Sequence, residues 1–338
     1  MDLNILWFIL LGILFTGYAI LDGFDLGVGI LHLFAREEHQ RRLYLNAIGP
    51  VWDGNEVWLL TGGGALFAAF PVVYATVFSG FYLAFMVLLV ALIFRAVAME
   101  FRGKVNSPDW RRAWDWAFGL GSLVPALLLG VAYGNILQGV PLERGAVYTG
   151  NFLGLLKPYP ILTGVLAVTL FTMHGAIYLT LKSEGSLRQK LVRSASRLWM
   201  VVLSVYFIVT VATFFAAPFL FQGLGQNILF WLLLLMEIAA TMTVSLSLAG
   251  AKYGRAFVGS SVMIACMVGI SAISLFPRLV PSSIDLEYSL TVYNASSSEA
   301  TLTSMAIIAL IGMPLVIGYT IFIYRAFKGK VVITPDSY

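Results

Sequence analysis

Nine stretches of about twenty or more mostly apolar residues, separated by short polar breaks, run along this chain of 338 residues. A hydrocarbon core of roughly 30 Å takes about 20 such residues in a helix, so this feature confines the chain to folds that live in a bilayer. The predicted spans are Leu3 to Leu33, Pro50 to Phe70, Val72 to Glu100, Trp114 to Leu137, Pro158 to Leu181, Ser196 to Leu220, Ile228 to Leu248, Phe257 to Phe276 and Leu302 to Tyr324. They are apolar on every face and lack the period-two alternation of barrel strands, which selects helices. The expected fold class is an all-α integral membrane protein, a single polytopic domain with nine transmembrane helices. Composition agrees, since 59% of residues are hydrophobic and 11% charged, against about a quarter charged in soluble domains. Cys266 is the only cysteine and the net charge is +4, which sets aside a disulfide scaffold and a nucleic-acid binder. Met1-Asp2-Leu3-Asn4 has no basic n-region, so no cleaved signal peptide is expected.

Lys and Arg are retained preferentially in short cytoplasmic loops. Of the 21 in this chain, 17 fall in the loops of one side, Arg144, Lys157 and Arg278 fall on the other, and Arg95 lies within a span. With nine spans, this puts the amino terminus outside and the carboxyl terminus in the cytoplasm. The excess positive charge is then a property of topology and needs no anionic partner. Residues 277–301, with Asp285, Glu287 and Glu299, form the longest outside segment and are expected to be an ordered loop. Asn294-Ala295-Ser296 within it matches a glycosylation sequon, a signal of little specificity.

A charge near the bilayer centre costs roughly 2.5–3.5 kcal/mol on insertion scales, so each ionisable group within a span needs a reason. Asp22, Asp25 and His32 are in the first span, Asp53 and Glu56 in the second, Arg95 and Glu100 in the third, His174 in the fifth and Glu237 in the seventh. Counting a rise of about 1.5 Å per residue, Asp22, Asp25, Asp53, Glu56 and Arg95 converge on the inner half of one three-helix group. Each acidic pair is spaced i, i+3 and shares a helix face. Crowded carboxylates at an inner edge suit proton uptake or quinone-headgroup chemistry. The alternative is structural: Asp22 and Asp53 as helix-end residues in the headgroup zone, with Asp25 or Glu56 paired to Arg95.

His32 and His174 lie on different helices and offer no paired-ligand pattern for haem, so interior hydrogen-bonded histidines are the better reading. Glu237 suits an interhelical hydrogen bond in its protonated form. Gly23 and Gly27, and the run Gly62-Gly63-Gly64, are expected to let neighbouring backbones approach closely. Trp52, Trp58, Trp110, Trp114 and Trp116 suit an aromatic belt, and Trp52 can also stack on a quinone ring.

Gly23-Phe24-Asp25-Leu26-Gly27-Val28-Gly29, Trp52-Asp53-Gly54-Asn55-Glu56-Val57-Trp58-Leu59 and Gly63-Gly64-Ala65-Leu66-Phe67-Ala68-Ala69-Phe70-Pro71 resemble subunit II of the cytochrome bd quinol oxidases. Phe94-Arg95, Trp114-Asp115-Trp116, the 134–141 segment Gly-Asn-Ile-Leu-Gln-Gly-Val-Pro and Tyr148-Thr149-Gly150-Asn151-Phe152 continue the match in order. The resemblance implies two four-helix bundles, at 1–138 and 158–276, then an external loop at 277–300, a peripheral ninth helix at 301–325 and a cytoplasmic tail at 326–338. It also implies a respiratory, oxygen-reducing complex in a bacterial or archaeal cell membrane. There a subunit I carries the b haems, the d-type haem and the quinol site, and no cofactor is expected on this chain beyond a structural quinone near Trp52. A small single-helix subunit is a further partner the resemblance allows, and membrane lipids surround the whole. It links Asp25 and Asp53 to proton supply from the cytoplasm and to assembly. Glu56 would extend that path, and Arg95 would serve as its charge partner. Glu56 departs from the glutamine of some relatives, which leaves the route through it open. No metal ligands are assigned.

Two other functions place carboxylates in spans. A proton-coupled secondary transporter would show broken helices in repeated halves, whereas the acidic residues here gather in the first half. A purely structural subunit would keep fold and partner with carboxylates that do nothing in turnover.

Overall fold

The computed structural model describes residues 2–334. Met1 of the amino-terminal reading and residues 335–338 of the expected tail lie outside the described residues. Eleven α-helices carry the fold: α1 (Leu3–His32), α2 (Glu38–Ile48), α3 (Trp52–Ala69), α4 (Pro71–Gly80), α5 (Tyr82–Phe101), α6 (Pro108–Gln138), α7 (Pro158–Lys182), α8 (Gly185–Ala216), α9 (Ile228–Ala249), α10 (Tyr253–Leu275) and α11 (Glu299–Ala326). Two small antiparallel pairs join them, β1 (Leu142–Glu143) with β2 (Val147–Tyr148), and β3 (Arg278–Val280) with β4 (Leu290–Thr291).

The helix starts follow from sequence. Asp2, Ser107, Asn227 and Ser298 cap α1, α6, α9 and α11 by accepting from backbone N–H groups of the first turn, which satisfies donors that no helical carbonyl can reach. Pro108 and Pro158 occupy first helical positions, where a missing N–H costs nothing.

Among the described residues, eight helices (α1 and α5 to α11) are long and apolar enough to cross a membrane. The second expected span is α3, whose 18 residues reach about 27 Å but include Asp53, Asn55, Glu56 and Thr61. The third expected span, Val72 to Glu100, is divided. Phe70, preceding a proline, leaves helical geometry, Pro71 starts α4, and the chain bends again after Ser79-Gly80, a pair prone to kinking. The Tyr148 ring packs 3.0 Å from where a Gly80 Cβ would sit, so the bend is filled from β2. Two further differences lie at the basic loops. The first contains α2, and the fifth is absorbed into α8, which begins eleven residues before the expected Ser196 because Arg, Lys and Gln favour helix.

Helix α1 is central. It packs against α3, α6 and α7, while α5 flanks α6, α8 flanks α7, and α9 pairs with α10. The crossing of α1 with α7 depends on glycine. A Cβ at Gly27 would collide with the Phe171 carbonyl oxygen, and one at Gly175 would lie 2.6 Å from the Gly27 carbonyl carbon. In the run at 62–64, a Cβ at Gly62 would lie 2.9 Å from the Phe15 ring of α1, whereas Gly63 and Gly64 meet nothing within 4 Å among the described residues, so the close approach there is to a side chain and at Gly62 alone.

Hydrogen bonds tie the helix ends into two faces. At the basic end, Lys182 donates to the Phe327 carbonyl (2.7 Å), Lys330 to the Leu181 carbonyl (2.7 Å) and Arg42 to the Thr334 carbonyl (2.9 Å). At the loop end, Ser297 donates to the Ala69 and Ala68 carbonyls (2.8 and 2.6 Å), and Val140 to the Pro281 carbonyl (3.0 Å). The segment expected as an ordered loop thus closes over the ends of α3 and α6. Helix α11 lies along α1 and α3 with only Leu302 buried. Trp7 Nε1 donates to the Leu302 carbonyl at one end (3.0 Å), and the Tyr324 hydroxyl donates to Asn55 Oδ1 at the other (3.0 Å).

Candidate functional site

The basic-end halves of α1, α3 and α5 hold the ionisable residues that the sequence gathers there. Asp22 and Arg95 are both 0% exposed, and Arg95 bonds Asp22 with both terminal nitrogens, Nη2 to Oδ1 at 2.6 Å and Nη1 to Oδ2 at 3.1 Å. This fork matches a carboxylate edge on and compensates two charges far from water. It corrects one expectation, since the hydrogen-bonded partner of Arg95 is Asp22 and neither Asp25 nor Glu56, and it shows Asp22 enclosed by protein.

One turn on, Asp25 is also fully buried, and its Oδ2 accepts from Asn55 Nδ2 at 2.7 Å while Oδ1 has no hydrogen-bond partner among the described residues. Asn55 is fixed from three directions, since its amide also donates to the Leu21 carbonyl (3.3 Å) and its oxygen accepts from Tyr324. Glu56 is half-buried on the same helix, within electrostatic reach of Arg95, Asp22 and Asp53. Asp53 is exposed at the first turn of α3, and Trp52 is half-buried against the cluster formed by Ala47, Ile48 and Leu179. Carboxylates therefore step from the exposed Asp53 through Glu56 to the interior Asp25, with a fixed positive charge alongside.

A second ionic group lies next to it and was not legible from spacing. Asp115 on α6 accepts from His32 Nε2 (2.6 Å), Arg102 Nε (2.6 Å) and Arg41 Nη1 (2.8 Å), and Arg102 also forks onto Glu38 at 2.8 and 3.1 Å. A carboxylate facing two arginines can only accept, so the Nε2 of His32 carries the proton. Glu38, outside the spans, is held below the ordinary carboxylate range chiefly by its hydrogen bonds to Arg102, partly offset by burial. The sequence marks Asp115 only by its flanking tryptophans, and nothing ties it to His32, 83 positions earlier. Asn55 was similarly hidden, a neutral amide between two acids.

His174 is 0% exposed; its Nδ1 bonds the Ser260 hydroxyl (2.7 Å), its Nε2 the Ile20 carbonyl (3.1 Å), and its ring stacks on Phe257 with centroids 4.7 Å apart. Both nitrogens are engaged, so it is an interior hydrogen-bonded histidine and does not suit haem ligation. Among the described residues no group of three or more His, Cys, Asp or Glu side chains is placed to hold a metal ion.

A central helix with two enclosed carboxylates, one paired to Arg95 of α5 and one held by Asn55 of α3, beside an exposed acid at the basic end, defines a polytopic helical membrane protein with charged groups in its interior. The sequence model for cytochrome bd terminal oxidase subunit II matches residues 3–327. The chain is 39% identical over 334 residues to the cytochrome bd ubiquinol oxidase subunit 2 of Bacillus subtilis (strain 168), covering 98% of this chain and 97% of that one. It is 36% identical over 360 aligned positions to the cytochrome bd-I ubiquinol oxidase subunit 2 of Escherichia coli (strain K12), covering 97% and 95%. A chain in the structure of the bd oxidase from Geobacillus thermodenitrificans shares the fold, with a TM-score of 0.80 over 97% of this chain and 99% of that one at 20% identity. This chain belongs to the cytochrome bd terminal oxidase subunit II family.

Proposed function

We propose that this chain pairs with a haem-bearing subunit I in a quinol oxidase of a bacterial or archaeal cell membrane, and that it supplies protons from the cytoplasm through Asp53, Glu56 and Asp25. Family membership supports the oxidase reading over a transporter. The observation that carries the path is the stepwise burial of three acids beside the Asp22 and Arg95 pair. Asp53 meets solvent, Glu56 is half covered, and Asp25 is enclosed with one oxygen left without a hydrogen bond. Reduction of dioxygen at the partner's haem consumes protons. An enclosed carboxyl with a spare lone pair accepts one, and Asn55 holds it in place by donating to its other oxygen. Arg95, committed to Asp22, keeps a fixed positive charge beside the neighbouring acids. Trp52 offers its uncovered surface as a stacking platform for a structural quinone.

The topology we adopt counts α3 as a ninth span, with the basic end in the cytoplasm and the carboxyl terminus there. It accords with 17 Lys and Arg on one side against three on the other. The test of the path is Asp53→Asn, which keeps shape and removes proton exchange. The assembled complex should keep its haem content and turn over several times more slowly. Wild-type turnover in a fully assembled variant would sink the proton role, and failure to assemble would favour a structural one.

A further inference from the structure

The second half of the chain contains a buried acid that the path at α1 and α3 does not use. Glu237 lies on α9, is 4% exposed, and its Oε2 has no hydrogen-bond partner among the described residues. Counting about 1.5 Å per residue from Ile228, it sits some 14 Å into the helix, close to mid-membrane. A carboxyl held at that depth needs a function or a compensating partner, and the groups facing it from the neighbouring helices are neutral. They are the Tyr206 hydroxyl on α8 and the Cys266 thiol on α10.

From Tyr206 the hydroxyls climb toward the loop end. Tyr206 is ten residues from the end of α8, and it is within electrostatic reach of Tyr133, which is five residues from the end of α6. Tyr133 meets Ser271 of α10, whose Oγ donates to the Met267 carbonyl (2.9 Å) and so is left to accept. Tyr133 is also within reach of Tyr159 at the first turn of α7. The Tyr159 hydroxyl and Thr213 Oγ1 are 3.0 Å apart, and Thr213 donates onward to the Val209 carbonyl (2.7 Å), so Tyr159 is the donor between them. Tyr159 in turn lines a crevice of about 430 Å³ beside Pro158, Ala212 and Phe215. Next to it, sharing Ala216, is a more polar crevice of about 290 Å³ with Lys157, Ser282, Ser283 and Asp285 on its walls. Tyr133 is 38% exposed, so its ring is only partly covered by the neighbouring helices.

We propose that Glu237 is a protonation site of the second helical group, exchanging its proton with the loop-end face through Tyr206, Tyr133 with Ser271, and Tyr159 with Thr213. Each hydroxyl can donate and accept at once. A proton leaving the Glu237 carboxyl is taken by the Tyr206 oxygen as Tyr206 gives up its own hydrogen to the next acceptor, water or Tyr133, and so on to solvent. The carboxyl is left as carboxylate, every hydroxyl is restored, and no other reactant is required. Water bridges the rungs that are not in direct contact. This site is served from the face opposite Asp53, so the chain holds two acids exchanging with opposite sides of the membrane.

The experiment is infrared difference spectroscopy of the whole complex in lipid nanodiscs, reading the carbonyl band of protonated carboxyl groups on a pH step and on transfer from H2O to D2O. Glu237→Gln should remove one such band while leaving the haem spectrum intact. Tyr133→Phe should keep the band and slow its deuterium shift at least tenfold, whereas Tyr18→Phe, a buried hydroxyl on α1 outside the ladder, should leave the shift rate unchanged. An unchanged carboxyl region in Glu237→Gln, or a shift rate in Tyr133→Phe equal to wild type, would overturn the assignment. If Glu237→Gln does not assemble, the Tyr133→Phe rate decides it alone.

Discussion

Replacing Asp22 by Asn tests how much of this fold rests on one ion pair. The two side chains are fully enclosed and share two charge-assisted hydrogen bonds of 2.6 and 3.1 Å. Such bonds contribute about 1.5–3 kcal/mol each, and removing one partner of a buried pair costs about 3–5 kcal/mol because the other charge is stranded. Asn keeps one acceptor but turns an NH2 toward the guanidinium, so the upper part of that range applies. Since 1.4 kcal/mol is about tenfold in an equilibrium constant, the upper part of that range, about 4–5 kcal/mol, is a loss on the order of a thousandfold. The assay is the fraction of complex that stays assembled over a temperature series, read by co-elution with the haem-bearing partner. Asp22→Asn and Arg95→Gln should each lower it strongly. The double variant should lose much less than their sum, because a neutral pair can still hydrogen bond and no charge is left alone. If the two losses add, or if Asp22→Asn is within about 0.5 kcal/mol of wild type, the pair does not support the fold in the manner argued.

His174→Ala in the assembled complex should leave every haem band in place, measured by reduced-minus-oxidised absorbance; loss of a band would show that a ligand had been taken for a packing residue. Glu38 has a folded pKa depressed by Arg102, so its contact contributes stability above the ordinary carboxylate range and loses it as pH falls through the depressed value. Melting of Glu38→Gln across acidic pH should therefore show a shallower acid-side decline than wild type. The neutral-pH effect should stay below about 1 kcal/mol, since the side chain is 46% exposed and screened. A reporter fused after Tyr338 should indicate the cytoplasm, and a signal from the outer side would reverse the adopted topology.

The long apolar runs made the helical spans legible, because a span must be apolar along its whole length whatever it packs against. The division of Val72 to Glu100 was less so, although Pro71 and Ser79-Gly80 mark both bends, since hydropathy alone runs through them. Helix α2 was read as a charged loop because its apolar residues, Leu43, Tyr44, Leu45, Ala47 and Ile48, are too few for a span and bury themselves against α1, α5 and α7 instead. At the site, depth counting brought Asp22, Asp25, Asp53, Glu56 and Arg95 to one end. Which acid holds Arg95 depends on the rotation of α1 against α5, and spacing along either helix does not contain that angle. Asp115 escaped for the same reason, as its three donors come from α1, from α2 and from the end of α5.

Helix α11 is attached like a beam pinned at both ends, with mostly exposed surface between Leu302 and Tyr324. Its 28 residues measure about 42 Å along the axis, longer than a hydrocarbon layer of roughly 30 Å, so it spans with room to tilt and the two pins set its position against α1 and α3. The lower pin is the Tyr324 hydroxyl on Asn55, and that bond dictates which way the Asn55 amide faces, leaving the NH2 for Asp25. The carboxyl-terminal end of α11 and the enclosed Asp25 are thereby joined in series through a single amide, two hydrogen bonds apart.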